Sequence, residues 1–440
     1  MRITVTAMGS RGDVQPFAAL AVALAARGHE ATLVTHTEFE GLAAGRGVRF
    51  APITGDIRQD LTSGIGRDLM EKGRNPLRIM RYMIESSKVY ARRWGAEIIE
   101  AAQGSELVVA TGASFYVGAP VAEKLGVPFV QAYPQPLVPS RRYPSPLVPP
   151  PPFPVPGAAN LAMHHAVAQM FWQALRPATN MGRTEMLGLE PWPLRGPFAR
   201  LRAERRPVLL AFSPEVVPPA PDWPDFVEAT GYWFLDDPGD GPGGWTPPGD
   251  LARFLEAGPP PVYIGFGSMG VRDPEETGAL VVEAVRRAGV RAVLASGWAG
   301  IGAADLPPEV HLIEGAPHDL LFPRMAAAVH HGGAGTTAAG IRAGIPALVV
   351  PFLGDQPFWG WRLEKLGVGL RTAPRRHLTA ERLADGIRRI ATDPAMRARA
   401  AELGARVRAE GGLVRAVARI EQVAAGTWLP RQAVNGGASP

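Results

Sequence analysis

Apolar and polar residues alternate through RITVTAM (2–8), and the alternation stops at GSRGDVQP (9–16). An apolar-rich run, FAALAVALAARG (17–28), follows and closes at Gly28; HEATLVT (29–35) then alternates again. The pattern predicts strand, helix, strand, with Pro16 at the helix start. Short links between such elements imply parallel strands joined by right-handed crossovers. ELVVATG (106–112), a helix near VGAPVAEKLG (117–126) and VPFVQAY (127–133) repeat the unit. A helical stretch carrying Trp172 comes next, and PVLLAFS (207–213) returns to the sheet.

Two breaks divide this pattern. PQPLVPSRRYPSPLVPPPPFPVPG (134–157) holds too many prolines for a helix interior or a central strand. It reads either as a polyproline connector or as a binding loop, since such lengths without structure are uncommon inside a domain. LDDPGDGPGGWTPPGD (235–250) reads as a linker. Its Asp236, Asp237 and Asp240 suit linker solubility better than a metal site. The α/β pattern then restarts with PVYIGFGS (261–268), a helix over 274–288, RAVLASG (291–297), VHLIEG (310–315), AAAVHH (326–331), a helix from Thr336 to Ala343 and ALVVPF (347–352). Arg/Ala-rich helices fill 378–425. The expected architecture is α/β, with two doubly wound Rossmann-like domains facing across a cleft. They span 1–234 and 251–408, joined by the linker 235–250. A last helix, 409–429, packs back on the first domain, and a polar tail, 430–440, is expected to be disordered.

Composition narrows the class. A chain of 440 residues is long enough for two cores, and 46% hydrophobic with 20% charged residues fits a globular protein. The net charge of +5 is small for this length, and RLRAERR (200–206) and RRI (388–390) carry no interleaved aromatics, so no nucleic-acid partner is expected. The chain has no cysteine, which excludes disulfides and thiolate zinc sites. The N-terminal stretch lacks the apolar core of a signal peptide, and the longest apolar run, 16–26, is too short for a membrane span. A cytoplasmic protein without a transmembrane segment is expected; the oligomeric state is not legible.

The candidate chemistry falls just past the predicted strands. Asp13 follows the first strand, Ser268 follows PVYIGF, Trp298 follows RAVLAS, His331 ends AAAVHH, and Asp355 and Gln356 follow ALVVPF. Parallel strands put the last five on one sheet edge, where ligands of doubly wound folds bind. GFGSMG (265–270) matches a dinucleotide fingerprint, but the next strand end reads Ser296-Gly297-Trp298, without the acid that would hold a ribose. This disfavours an NAD-dependent oxidoreductase. A phosphate near Ser268 remains consistent, and Trp298 is placed either to face a flat base or to pack in the core.

In HHGGAGTT (330–337) the glycines permit a turn whose N–H groups face the cleft, and the following helix adds its positive end. His331 can donate a hydrogen bond to phosphate. Adjacent strand residues point to opposite faces, so His330 is structural and a His330–His331 zinc pair is excluded. His311 and His318 read as structural too. The carboxylate of Asp355 beside the amide of Gln356 suits vicinal hydroxyls. A base, a diphosphate and vicinal hydroxyls in that order describe a nucleotide sugar. No cofactor and no metal are implied.

GSRGDVQP, FSPEVVPPAPDWPDFVEATGYW (212–233) and HHGGAGTTAAGIRAGIPALVVPFLGDQPFWG (330–360) together resemble the UDP-glycosyltransferases of GT-B fold. Within them the chain is most similar to sterol glucosyltransferases and to bacterial antibiotic and macrolide glycosyltransferases, over nearly its whole length, to about residue 425. The resemblance implies an acceptor in the N-terminal half and a donor held mainly by the C-terminal half. Ser268, His331, Gly333, Gly335 and Thr336 would lie on the diphosphate, Trp298 near the base, and Asp355 and Gln356 on the sugar. Many relatives carry a histidine base in a G-H-V-x-P turn. Here Gly12-Asp13-Val14-Gln15-Pro16 puts Asp13 in that place, as in the antibiotic and sterol branches, and VVATGASF (108–115) offers no partner acid. Asp13 is also placed to cap a helix.

The expected activity is inverting, metal-independent transfer of a hexose from a UDP-sugar, with UDP-glucose the donor that Asp355-Gln356 favours. Ser10, Phe115, Tyr133, Phe171 and Trp172 are the expected acceptor contacts, a lining suited to a lipophilic hydroxylated molecule. A sterol or triterpenoid, a macrolide or other polyketide, and a flavonoid all fit. Other readings stay open: a dTDP-deoxysugar transferase, an epimerase on the same fold, and a non-catalytic activator.

Overall fold

A computed structural model describes residues 1–55, 84, 87, 92–236, 244–266, 274–296, 306–372 and 378–428. The N-terminal half carries strands β1 (Arg2–Thr6), β2 (Glu30–His36), β3 (Arg49–Ile53), β4 (Leu107–Ala110), β5 (Phe129–Tyr133), β6 (Val208–Leu210) and β7 (Val227–Ala229). The C-terminal half carries β8 (Val262–Gly265), β9 (Ala292–Ala295), β10 (Val310–Ile313), β11 (Ala327–His330), β12 (Ala347–Val349) and β13 (Gly369–Arg371). Most of these strands are buried along their length, as expected when helices cover both faces of a parallel sheet.

All strand pairs among the described residues are parallel. Ile3 of β1 lies opposite Ala31 of β2 and Leu107 of β4, and Ile264 of β8 lies opposite Leu294 of β9 and Val329 of β11. The first sheet runs β3-β2-β1-β4-β5-β6-β7 and the second β10-β9-β8-β11-β12-β13. Both are doubly wound, as the sequence pattern predicts. Strand order reverses between β1 and β4, and again between β8 and β11. Crevices open at the carboxyl ends of the strands at such reversals, so residues just past β1 and β11 are the favoured ligand positions.

The helices that matter here are α1 (Arg11–Ala26), α2 (Phe115–Leu125), α3 (Gly157–Met181), α4 (Pro274–Ala288), α5 (Ala334–Ala343), α6 (Gln356–Leu366), α7 (Ala380–Thr392), α8 (Pro394–Arg408) and α9 (Gly412–Ala424). Helix α1 starts at Arg11, not at Pro16. Ser10 is its extended N-cap, and the Asp13 side chain accepts the Ser10 N–H at 3.0 Å, which fixes the start one turn early. Pro16 sits inside the helix and has no N–H for the Gly12 carbonyl. Helix α5 likewise starts at Ala334, so Gly335 and Thr336 belong to its first turn. Strand β7 is too short to show in the alternation. A helix from Gly249 begins inside the stretch read as linker. Asp236 pairs with Arg342 of α5, while Asp237 and Asp240, like the tail 430–440, lie outside the described residues.

The proline-rich stretch is a pinned strap rather than a loose connector. The Asp222 carboxylate accepts the Ser140 hydroxyl at 3.1 Å and the Arg141 N–H at 2.6 Å. The Tyr143 hydroxyl donates to the Pro218 carbonyl at 2.7 Å, and the Asn160 amide donates to the Arg141 carbonyl at 3.2 Å.

The halves share a core. Phe212, Val216 and Tyr232 from the N-terminal side pack in one buried cluster with Ala338, Phe358, Trp359 and Leu363 from the C-terminal side. Helix α9 crosses back and buries Ala416, Val417 and Ile420 in the core around Phe17 and Leu20 of α1. Glu421 pairs there with Arg27 at 3.3 Å and His29 at 3.0 Å. Truncating a buried isoleucine removes transfer energy and leaves a cavity. Ile420→Ala should cost about 2–5 kcal/mol, seen as a lower urea midpoint. An unchanged midpoint would show that α9 does not dock on the N-terminal half.

Candidate active site

Strand β11 ends at His330, and the chain turns sharply at Gly332. That residue has φ +92, and a Cβ on it would meet Val349 Cγ1 at 2.5 Å and the Gln356 carbonyl at 3.0 Å. Only glycine fits both the conformation and the space. The fully buried His330 ring accepts the Gly332 N–H on Nδ1 at 3.0 Å and so holds the turn from behind. Its neighbour His331 looks the other way. A Cβ on Gly333 would collide with His331 Nε2, so the ring lies over the glycine turn. Burial pushes His331 down to about 4, which keeps the imidazole neutral at neutral pH. Its Nδ1 is buried without a hydrogen-bond partner among the described residues. A buried ring nitrogen of this kind suits a ligand oxygen.

Gly333 caps α5, so the N–H groups of Ala334, Gly335 and Thr336 have no acceptors within the helix. The start of α1 faces them across the cleft: a Cβ on Gly335 would sit 3.5 Å from Gly12 Cα. Two helix N-termini from opposite domains thus close on one space, a setting that favours a bound anion. Arg11, the first residue of α1, raises the positive potential here and helps hold the buried His318 well below its usual range, to about 3, behind the larger effect of burial. His318 stacks on Phe322 at 4.3 Å, which fits its structural assignment.

Strand β12 leads back to the same edge, and Asp355 caps α6. Trp359 donates its indole N–H to Asp355 Oδ2 at 2.7 Å. Burial pushes Asp355 up to about 6, with the nearby negative charge of Asp13 adding to the rise. Gln356 is buried, and its side-chain oxygen accepts the N–H groups of Phe352 (2.7 Å) and Leu353 (3.1 Å). That oxygen shapes the turn before α6, so Gln356 is partly structural.

Asp13 enters from the N-terminal side. Its Oδ2 accepts the Ser10 N–H and, at 2.9 Å, the Ser10 hydroxyl. A Cβ on Gly9, at φ +132, would sit 2.6 Å from that oxygen. Burial raises the Asp13 carboxyl above its usual value, and the hydrogen bonds oppose the rise only in part. Oδ1 stays turned to the cleft, where the Gln135 amide donates to it at 3.5 Å. Asp13 is therefore both a helix cap and a cleft carboxylate.

Asp13, Ser10, His331, Gly333, Gly335, Thr336, Asp355 and Gln356 come together at this junction. Ser268 and Trp298 lie outside the described residues. Among the described residues, Phe115 and Trp172 line no opening. They pack with Phe129 and Trp192 in the core behind the first sheet, and the Trp172 indole N–H is bonded to the Leu194 carbonyl at 2.8 Å. At Phe115 and Trp172 the aromatic character that suggested an acceptor lining belongs to core packing. Phe171 is half-buried on α3, and Tyr133, also half-buried, ends β5 with its hydroxyl on Gln131 Oε1 at 3.1 Å. Sequence reasoning missed Gln135 and Trp359. Gln135 lies two residues past a strand end, the rule that found Asp13, but the surrounding prolines masked it.

The family described as glycosyltransferase family 28 N-terminal domain matches residues 3–143. The family described as erythromycin biosynthesis protein CIII-like, C-terminal domain, matches residues 290–423. A sterol 3-beta-glucosyltransferase of Neosartorya fischeri is 38% identical over 436 residues, which is 96% of this chain and 29% of that protein. The chain thus spans under a third of the length of that relative. Among solved structures, the glycotransferase of kitacinnamycin aligns with a TM-score of 0.69 at 20% identity, covering 96% of this chain and 98% of that chain. Glycosyltransferase VinC, solved in complex with DTDP, aligns with a TM-score of 0.64 at 23% identity, covering 97% of this chain and 100% of that chain. The two solved structures share the fold of two facing parallel-sheet domains, and the relative extends the likeness to sequence over nearly the whole chain. The chain belongs to the UDP-glycosyltransferase superfamily of GT-B fold.

Proposed function

We propose that this protein transfers a hexose, with inversion and without a metal, from a UDP-sugar to a hydroxyl of a lipophilic acceptor. The observation that carries this reading is the junction itself. The open first turn of α5, the unpartnered His331 Nδ1 and the half-buried carboxylates of Asp355 and Asp13 meet where two sheets present their carboxyl ends. The diphosphate would lie against the first turn of α5 and His331, and the sugar hydroxyls against Asp355 and Gln356. The acceptor oxygen attacks the anomeric carbon from the Asp13 side as the bond from that carbon to the diphosphate oxygen breaks. The hydroxyl proton passes to Asp13, and the bonding pair leaves with the diphosphate. An ordinary carboxylate is too weak a base to deprotonate an alcohol beforehand, but it can take the proton as the new bond forms. A raised pKa makes Asp13 better at this. The developing charge on the diphosphate meets N–H groups and a helix end that need no reorganisation.

The name of the Neosartorya relative, a sterol 3-beta-glucosyltransferase, supports a sterol or a similar rigid hydroxylated lipid as acceptor and glucose as the sugar. The VinC complex supports a second reading, a dTDP-sugar donor. Asp355 and Gln356 favour a sugar with several free hydroxyls over a deoxysugar.

A panel of UDP-glucose, other UDP-hexoses and dTDP-sugars, run in EDTA against a sterol, a macrolide and a flavonol, tests the reading by mass spectrometry. Glucosylated sterol formed at full rate in EDTA is the expected product. A strict need for divalent metal, or turnover of no nucleotide sugar, would contradict it. Asp13→Asn should lower kcat by about 10²–10⁴-fold and leave calorimetric UDP affinity unchanged; near-normal turnover would remove Asp13 from the base role. For the wild type, kcat/KM should fall as pH drops through about 6, where Asp355 takes a proton. Trp359→Phe removes the N–H that stabilises the Asp355 charge, so this acid limb should move to higher pH. A limb that stays in place would show that the indole does not tune Asp355.

A further inference from the structure

Among the described residues, Asp13 lacks the acidic partner that a histidine base would have, and none stands at the end of β4. Thr111 and Ser114 occupy that end: the Ser114 hydroxyl accepts the Thr111 N–H and lies within donating distance of the Thr111 and Thr6 carbonyls. The group that does reach Asp13 is Gln135, from the end of β5. Its side-chain amide donates to Asp13 Oδ1 at 3.5 Å and also stabilises the Asp355 charge. It lies between the base of one domain and the sugar-binding acid of the other. A carboxamide NH₂ has two hydrogens, enough to serve both carboxylates.

The backbone under Gln135 is built to stay put. Pro134 and Pro136 flank it, both buried, and each has a fixed φ. The Gln135 carbonyl accepts the Leu137 N–H at 2.8 Å. Five residues on, the strap is tied down at Ser140 and Arg141 by Asp222, and then by Tyr143. The proline-rich strap thus acts as a rigid arm with one polar side chain at its cleft end.

We propose that Gln135 is a positioning residue for transfer, whose amide holds the base Asp13 and the sugar-binding Asp355 in mutual register across the domain junction. This rests on the glycosyl-transfer reading above. Each N–H stabilises an ionised carboxylate and lets two like charges occupy one cleft. A long bond before substrate arrives is consistent with this, because such contacts tighten in the working complex. The charged groups that face the amide are Asp13, at the start of α1, and Asp355, at the start of α6. Among the described residues, Arg11 and His331 also lie near this junction, and both act on His318, lowering it.

The test compares Gln135→Leu and Gln135→Glu with the wild type in the full chain. It measures the pH profile of kcat/KM, kcat itself and calorimetric UDP affinity, with thermal midpoints as a folding check. Gln135→Leu should move the acid limb to higher pH and lower kcat by about tenfold or more, with UDP affinity within about twofold of wild type. Gln135→Glu keeps the shape but adds a third carboxylate, so its limb should move further. If the leucine variant fails to fold, the glutamate variant decides. Limbs and kcat that match wild type in the folded variants would overturn the positioning role and leave the transferase reading standing. A wild type that binds no UDP and transfers no sugar would sink both.

Discussion

Two carboxylates, Asp13 and Asp355, lie half-buried in one cleft, and neither has an ion-pair partner among the described residues. Burial without a counterion is costly, and like charge beside it adds to the cost. Much of the surrounding structure offsets that cost with neutral donors. Ser10 gives two hydrogen bonds to Asp13, Trp359 gives one to Asp355, and the Gln135 amide stands between them. Gly9 leaves room for the Asp13 carboxylate, since a side chain there would collide with it. Incomplete compensation is what leaves both groups above their usual values, and that is useful in a proton acceptor.

The same cost links function to stability. The folded Asp355 titrates near 6, above the ~3.9 of an unfolded chain. Between those values the folded protein binds the extra proton, so this group favours folding at low pH and loses that contribution as pH rises through about 6. Catalysis needs the opposite state. The cleft is most comfortable when it is least active, a common arrangement where burial is used to adjust a catalytic group.

The donor side depends on a steric constraint more than on charge. Gly332 brings the α5 start and the Gln356 backbone together, because no Cβ fits there. His330 locks the turn from the core, and this frees His331 to face the cleft. Trp359 joins this side to the other domain. Its indole N–H holds Asp355, and its ring packs edge-on against Phe212 at 6.3 Å. A shift between the domains would therefore be felt at the sugar-binding acid.

Periodicity determined most of the strands, the parallel sheets and their two doubly wound halves, because alternation and helix length are local properties; it did not show β3, β7 or β13. The placement of Asp13, His331 and Asp355 past strand ends was legible for the same reason: parallel topology carries every such position to one edge. Residue order could not show the helix starts at Arg11, where the Asp13 side chain accepts the Ser10 N–H, and at Ala334, where the glycine turn ends. It could not separate Phe115 and Trp172, which fill a core, from residues that line a cleft, since both look apolar and aromatic. Nor could it find Gln135 or Trp359. Their partners lie 122 residues away in one case and across a helix turn in the other, and only the packing of two domains brings amide, indole and carboxylates to one point.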